Sequence, residues 1–271
     1  MKRMFVFAST AALLMSAGAS SAADMAVKAR PMAAPPPPCT WCGFYVGLNG
    51  GYGWGDTTGN LVANSGGLFI PPAIAGGTIP SGLGVRSEGW VAGGQAGYNW
   101  QLNQFVFGVE ADIQGSGIEE SVFITRAAVP ALGLVATQQR AKSELDWFGT
   151  VRGRLGIAWS SVLLYATGGF AYGGVGNSVT SSPDPFTLVG RGSVSSTLTG
   201  WTAGAGFEWA FTPNWSFKGE YLHIDLGNAT ATALFPATTD FLAYRFKHEY
   251  DIARVGFNYR FNTAAPVVAK Y

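Results

Sequence analysis

The chain has 271 residues, a formal net charge of +1, 48% hydrophobic and 14% aromatic residues, only 12% charged ones and 38 glycines. So balanced a charge excludes the strongly basic face that nucleic-acid phosphates require, and so few charges among so many rings are foreign to an ordinary soluble domain. After Ala23 no stretch is long and apolar enough to cross a bilayer as a helix, so the apolar surface must be distributed by alternation along strands.

The first predicted element is an export signal. Lys2 and Arg3 precede the apolar stretch from Phe5 to Met15, which is too short for a spanning helix, and Ser20, Ser21, Ala22 and Ala23 offer the small residues a signal peptidase needs. Residues 1–23 are therefore read as a removed signal peptide. Residues 24–42 read as a proline-rich periplasmic linker, since Pro31 and the proline run 35–38 favour an extended conformation without hydrogen bonds of its own. At its end stand Cys39 and Cys42. In an exported chain this pair suits a local disulfide or two idle thiols, because one C-x-x-C supplies only half of a zinc site.

From Gly43 onward the period is two. Phe44, Val46, Leu48, Gly50, Tyr52 and Trp54 share one face, and Tyr45, Gly47, Asn49, Gly51 and Gly53 share the other. A second strand carries Trp90 to Trp100, with Gln95 and Asn99 on its polar face. A third sets Phe105, Phe107, Val109, Ala111 and Ile113 against Glu110, Asp112 and Gln114. The fourth offers Leu145, Trp147, Val151, Leu155 and Ile157 against Asp146, Thr150, Arg152 and Arg154, and the fifth carries Leu164, Ala166, Phe170 and Tyr172. The sixth has Trp201, Phe207, Trp209 and Phe211 against Thr202 and Glu208. Trp215, Phe217 and Tyr221 oppose Lys218 and Glu220 in the seventh, and Val255, Phe257, Tyr259 and Phe261 oppose Arg254, Asn258 and Arg260 in the last.

Alternation would also fit a soluble sandwich, so the connections decide. Those at 101–104, around Ser160 and at 212–214 are tight, whereas 56–87, 116–143, 176–196 and 228–244 are long, and the two kinds alternate. Short periplasmic turns opposite long external loops mark an outer-membrane barrel. Aromatic residues gather beside the tight turns, as an interfacial belt would. Residues 43–261 are thus predicted to form an all-β, eight-stranded antiparallel up-and-down transmembrane barrel with both termini in the periplasm. A ten-stranded alternative would place further strands around Leu68, Phe69, Ile70 and Ile74, but Pro71, Pro72 and Pro80 would each remove a ladder donor.

The motifs Gly43-Phe44-Tyr45-Val46-Gly47, Tyr165-Ala166-Thr167-Gly168-Gly169-Phe170, Gly200-Trp201-Thr202-Ala203-Gly204, Lys218-Gly219-Glu220-Tyr221-Leu222 and Arg254-Val255-Gly256-Phe257-Asn258-Tyr259-Arg260-Phe261 resemble the alpha-proteobacterial small outer-membrane barrel proteins, often labelled porin-family. The resemblance implies a barrel in the Gram-negative outer membrane, distantly like OmpA-type and OmpX-type barrels. It also implies that the outer-membrane assembly machinery reads the last strand, here Phe257, Tyr259 and Phe261. One departure is that residues 262–271 follow as a C-terminal tail, which leaves Tyr271 as an alternative signal.

Function is argued from the face away from lipid. The inward set comprises Glu110, Asp112, Asp146, Glu208 and Glu220 against Arg152, Arg154, Lys218, Arg254 and Arg260, a balance of signs that suits paired filler in a narrow barrel. A narrow solute channel is the alternative, and one dominant sign would favour it. His223 with Asp225 and His248 with Asp251 are fragments of a hydrolase or acyltransferase site without a placed nucleophile. The expectation is a non-enzymatic envelope protein with no cofactor or metal and with loops available for surface interaction. Its expected partners are outer-membrane lipids and lipopolysaccharide together with the assembly machinery, and no nucleic acid.

Overall fold

The computed structural model describes residues 39–66, 70–130, 136–184, 190–235 and 240–261. The expected signal peptide, the linker up to residue 38 and the tail from 262 lie outside the described residues. Among the described residues the strands are β1 (Gly43–Asn64), β2 (Gly82–Leu102), β3 (Phe105–Arg126), β4 (Ala136–Trp159), β5 (Val162–Asp184), β6 (Gly190–Ala210), β7 (Trp215–Phe235) and β8 (Asp240–Arg260), with one helix, α1 (Ile70–Ala75), between the first two. Each strand pairs antiparallel with the next, and β8 returns to β1 through Tyr45↔Arg260 and Leu48↔Phe257, so the sheet closes on itself. Closure leaves no strand edge facing lipid, where an unpaired amide would find no water.

Local chemistry explains the tight end. Asn103 and Ser160 take positive φ (56° and 52°) in the β2–β3 and β4–β5 hairpins, a conformation that short polar side chains tolerate. Outside the barrel, Tyr98, Trp100, Phe105, Phe107, Trp159, Trp209, Phe211, Trp215, Phe257 and Phe261 lie exposed around this end, with Phe217 half-buried among them. Tyr52, Trp54, Trp90, Trp147, Phe170, Trp201 and Tyr221 form a second exposed belt higher up. From Phe44 to Trp54 a strand tilted by ~40° climbs ~25 Å, the height of an outer-membrane apolar band.

The long connections differ from expectation. Much of 56–87, 116–143, 176–196 and 228–244 is strand, because β1 to β8 continue well past the second belt. The residues considered for extra strands instead form α1, where Pro71 and Pro72 sit in the first turn and their missing N–H groups cost nothing. Ile70 and Ala73 of α1 enter an apolar cluster with Leu83, Val179, Leu242, Tyr244 and Phe246. Thr137 donates to the Thr78 carbonyl, and Tyr244 donates to Pro80 O at 2.8 Å, so the α1–β2 segment is tied to the barrel wall.

Bulges change which residues face inward. On β4 the register shifts between Leu145 and Trp147, so even positions point inward at Phe148 and Thr150 and odd ones at Leu145, Ser143 and Ala141. A similar shift at Gly227, with φ of 78°, reverses the parity of β7. Above the bulges the lumen is therefore lined by Ser143 and Ala141 of β4 and by Ala229, Ala231 and Ala233 of β7, which an unbroken period of two would have turned outward.

Candidate functional site

The lumen is filled in layers. Trp41, Val106, Leu163 and Tyr165 close the short-turn end. Trp41 is fully buried, its backbone N–H donates to Gln101 Oε1 at 3.0 Å, and the Arg260 guanidinium lies 4.4 Å above its ring. A Cys39–Cys42 disulfide, with Cα atoms 5.5 Å apart, brackets this tryptophan. The expected linker boundary at 42 is thus corrected. Residues 39–42 belong to the compact barrel unit, because a side chain as large as Trp41 fills the barrel mouth.

Above this plug lies an ion-pair network. Arg152 pairs with Glu110, with Asp112 at 2.9 Å and with Glu220 at 3.1 Å. Arg154 reaches Glu208 at 2.6 Å and Glu110 at 3.3 Å, and Lys218 reaches Glu110 at 2.7 Å and Glu220 at 3.2 Å. Arg254 donates to Glu220 from Nε at 2.8 Å and from Nη2 at 2.6 Å, and to Asp112 Oδ2 at 2.9 Å. The side chains of all eight residues are almost completely buried. Four carboxylates thus meet four cations, which is how charges remain tolerable in a dry interior.

Two members of the predicted set stand apart. Asp146 is exposed on the outer face, because the β4 bulge beside it breaks the alternation that placed it with Thr150 and Arg152. Arg260 points inward and is buried, but it serves the Trp41 plug and reaches Pro213 O at 3.5 Å rather than a carboxylate. Of the residues expected to be read in assembly, Phe257 and Phe261 face outward at the short-turn end, and Tyr259 packs 5.2 Å from the Trp215 ring.

Sequence reasoning missed the tyrosines of this site. The Tyr45 hydroxyl donates to Glu110 Oε2 at 2.7 Å and accepts from Arg154 Nη1 at 2.6 Å. Tyr165 donates to Glu220 Oε1 at 2.9 Å, and the Arg154 guanidinium lies 3.9 Å above its ring. Their inward positions in the period-two pattern carried the signal. On the β1–β2–β8 side amides continue the polar layer. Asn49 donates to Gln95, and Gln95 donates to Asn258 at 2.7 Å.

The network is roofed by Val91, Ile118, Leu145, Phe148, Leu222, Ile224 and Ile252. Higher still, His248 lies between Asn177 at 3.2 Å and the Tyr250 hydroxyl at 3.1 Å. Beyond it comes the apolar cluster that α1 completes. The other histidine, His223, faces outward and meets Asp251 at 2.9 Å rather than Asp225. Asp225 instead accepts from the Gly227 N–H at 2.8 Å. Neither sequence-adjacent His–Asp pair therefore forms.

Closed antiparallel strands, two lipid-facing aromatic belts and a polar lumen define a bacterial outer-membrane β-barrel protein. The family model described as outer membrane protein beta-barrel domain matches residues 9–261, and the chain belongs to that family. It is 37% identical over 265 residues to the 31 kDa outer-membrane immunogenic protein of Brucella melitensis, covering 94% of this chain and 98% of the relative. With the 22 kDa outer membrane protein of Rhizobium leguminosarum bv. viciae it shares 31% over 191 residues, 70% of this chain and 66% of that one. Among solved structures, OprG of Pseudomonas aeruginosa aligns at 13% identity and a TM-score of 0.47, over 82% of this chain and 97% of that one. The family and the Brucella and Rhizobium relatives place the protein in the outer membrane of a Gram-negative bacterium.

Proposed function

We propose that this protein is an eight-stranded, sealed barrel that acts as a structural element of the outer membrane and presents its long strand ends to the exterior. The carrying observation is the lumen, where a balanced buried ion network lies between apolar layers at both ends. An eight-stranded barrel has room for little more than its own side chains, and a selective pore would favour one sign of charge over the other. Both termini are assigned to the periplasm, in keeping with the short turns at the end where Cys39 and Phe261 lie.

The reading is non-enzymatic. His223 is held by Asp251, and the nearby Tyr221 hydroxyl donates to that carboxylate at 2.7 Å rather than to the imidazole, so among the described residues no hydroxyl is placed for the imidazole to activate. The strands that continue past the second belt form a stiff stalk, and scaffolded surface segments of this kind commonly carry binding. Interaction at the cell surface is the role assigned to it, consistent with relatives named as immunogenic outer-membrane proteins. Liposomes carrying the refolded protein should resist swelling in iso-osmotic small sugars and amino acids. Swelling at rates that follow solute size would replace the sealed barrel with a channel.

A further inference from the structure

A second constellation lies outside the barrel, on the level of the upper aromatic belt. Across four adjacent strands, Ala203, His223, Asp251 and Trp54 are direct register partners. The row beneath is Ala205, Tyr221, Ala253 and Tyr52. Asp251 Oδ1 accepts from the Tyr221 hydroxyl at 2.7 Å and lies 2.9 Å from His223 Nδ1. Rings flank this pair on both sides, with Trp201 5.4 Å from His223 and Trp54 6.4 Å from Tyr221 between centroids. His223 and Asp251 keep about a third of their side-chain surface exposed, at 35% and 31%. Ala203, Ala205 and Ala253 beside them leave a shallow floor.

Directly below, toward the middle of the bilayer, a lipid-facing groove of about 440 Å³ is bordered by Gly50, Ala205, Phe207, Gly219, Ala253 and Val255. Small residues form its bed, and Phe207 folds over Gly219 to make one wall, since a Cβ there would meet its ring at 2.6 Å. A polar clasp set on an apolar slot, both facing lipid, matches an amphiphile lying parallel to the barrel wall.

We propose that this surface docks a glycolipid, with its neutral sugar headgroup laid over the His223–Asp251–Tyr221 clasp against the face of Trp201 and one acyl chain in the groove. This deepens the reading above, because it rests on the long-strand end facing outward. The chemistry chooses the headgroup. Tryptophan faces receive the apolar side of a pyranose, and a carboxylate, an imidazole and a phenol supply acceptors and donors for its hydroxyls. A phosphate headgroup would meet Asp251 and, one row higher, Asp225 and Glu249, with Lys247 already paired to both of the latter at 3.8 and 2.6 Å.

Protein refolded in a detergent without sugar should be examined by native mass spectrometry with digalactosyl diacylglycerol and with phosphatidylglycerol of the same acyl chains. The wild type is expected to retain the galactolipid about tenfold more strongly than the phospholipid, one charge-assisted contact's worth. Asp251→Asn and Trp201→Ala should remove that preference, and Tyr221→Phe should weaken it by a smaller factor. Ala253→Leu, which fills the groove, should reduce retention of both lipids. Gel mobility without boiling confirms that each variant is a closed barrel, and Tyr221→Phe loses a single hydroxyl and so guards against misfolding. Equal retention of the two lipids, preference for the phospholipid, or an unchanged preference in Asp251→Asn and Trp201→Ala would each overturn the proposal. Failure of the orientation alone would appear separately, in protease accessibility on intact cells.

Discussion

Replacing Arg254 by alanine tests the lumen network at a cation shared by two of its carboxylates. Arg254 donates twice to Glu220, at 2.6 and 2.8 Å, and once to Asp112 at 2.9 Å. Without it, Glu110, Asp112, Glu208 and Glu220 face only Arg152, Arg154 and Lys218, so one buried negative charge is left uncompensated. Breaking one side of a buried pair costs about 3–5 kcal/mol, whereas an exposed pair is worth about 1 kcal/mol or less. Changing Glu220 to Gln together with Arg254 to Met restores the balance at three charges of each sign and should recover part of the loss. Tyr165 would still find an acceptor in the glutamine amide. Urea titration of the refolded variants in detergent reads these differences directly. A loss under about 1 kcal/mol for Arg254→Ala would refute the account, as would losses that simply add in the double variant.

Burial holds His248 down at about 4, below its ordinary value of 6.5, so the unfolded chain takes up the proton first as pH falls. Its contribution to stability should be complete above about pH 6.5, fall between there and about pH 4 and then level off, a change of about 3 kcal/mol that His248→Gln flattens in urea titrations across that range. Trp41→Ala should cost about 3–5 kcal/mol by emptying the plug, while Cys39→Ser with Cys42→Ser should still yield a closed barrel by gel mobility. Protease added to intact cells should cut between β3 and β4 or between β5 and β6, and spare the strand extensions above the belt. Cuts that require opened cells would reverse the orientation.

The barrel was legible because each strand between the belts keeps an unbroken period of two. In β3, Phe105, Phe107 and Val109 face lipid while Glu110 and Asp112 face inward, as alternation alone requires. The charges of the network were found in the same way. What alternation could not show is where it stops. A bulge adds one residue without any composition cue, so Asp146 moved to the outer face and Leu145, assigned to lipid, went into the lumen roof. The strand extensions were hidden for a related reason. Above the membrane the outer face meets water, so Ser, Thr and Asn alternate with Val and Ala in a pattern that resembles a loop. Pairings across the barrel, such as Tyr45 to Arg154 or His223 to Asp251, depend on register between strands distant in sequence.

Whether the lumen is sealed is tested most directly by reconstituting the purified, refolded protein into a planar bilayer and recording current under an applied voltage. With the ion network intact between the Trp41 plug and the apolar layers, the account predicts a baseline without discrete steps for the wild type, and the appearance of steps only when the roof and plug are opened by Phe148→Ala and Trp41→Ala. Reproducible unitary steps from the wild-type protein would contradict it and make the same lumen a conducting pore.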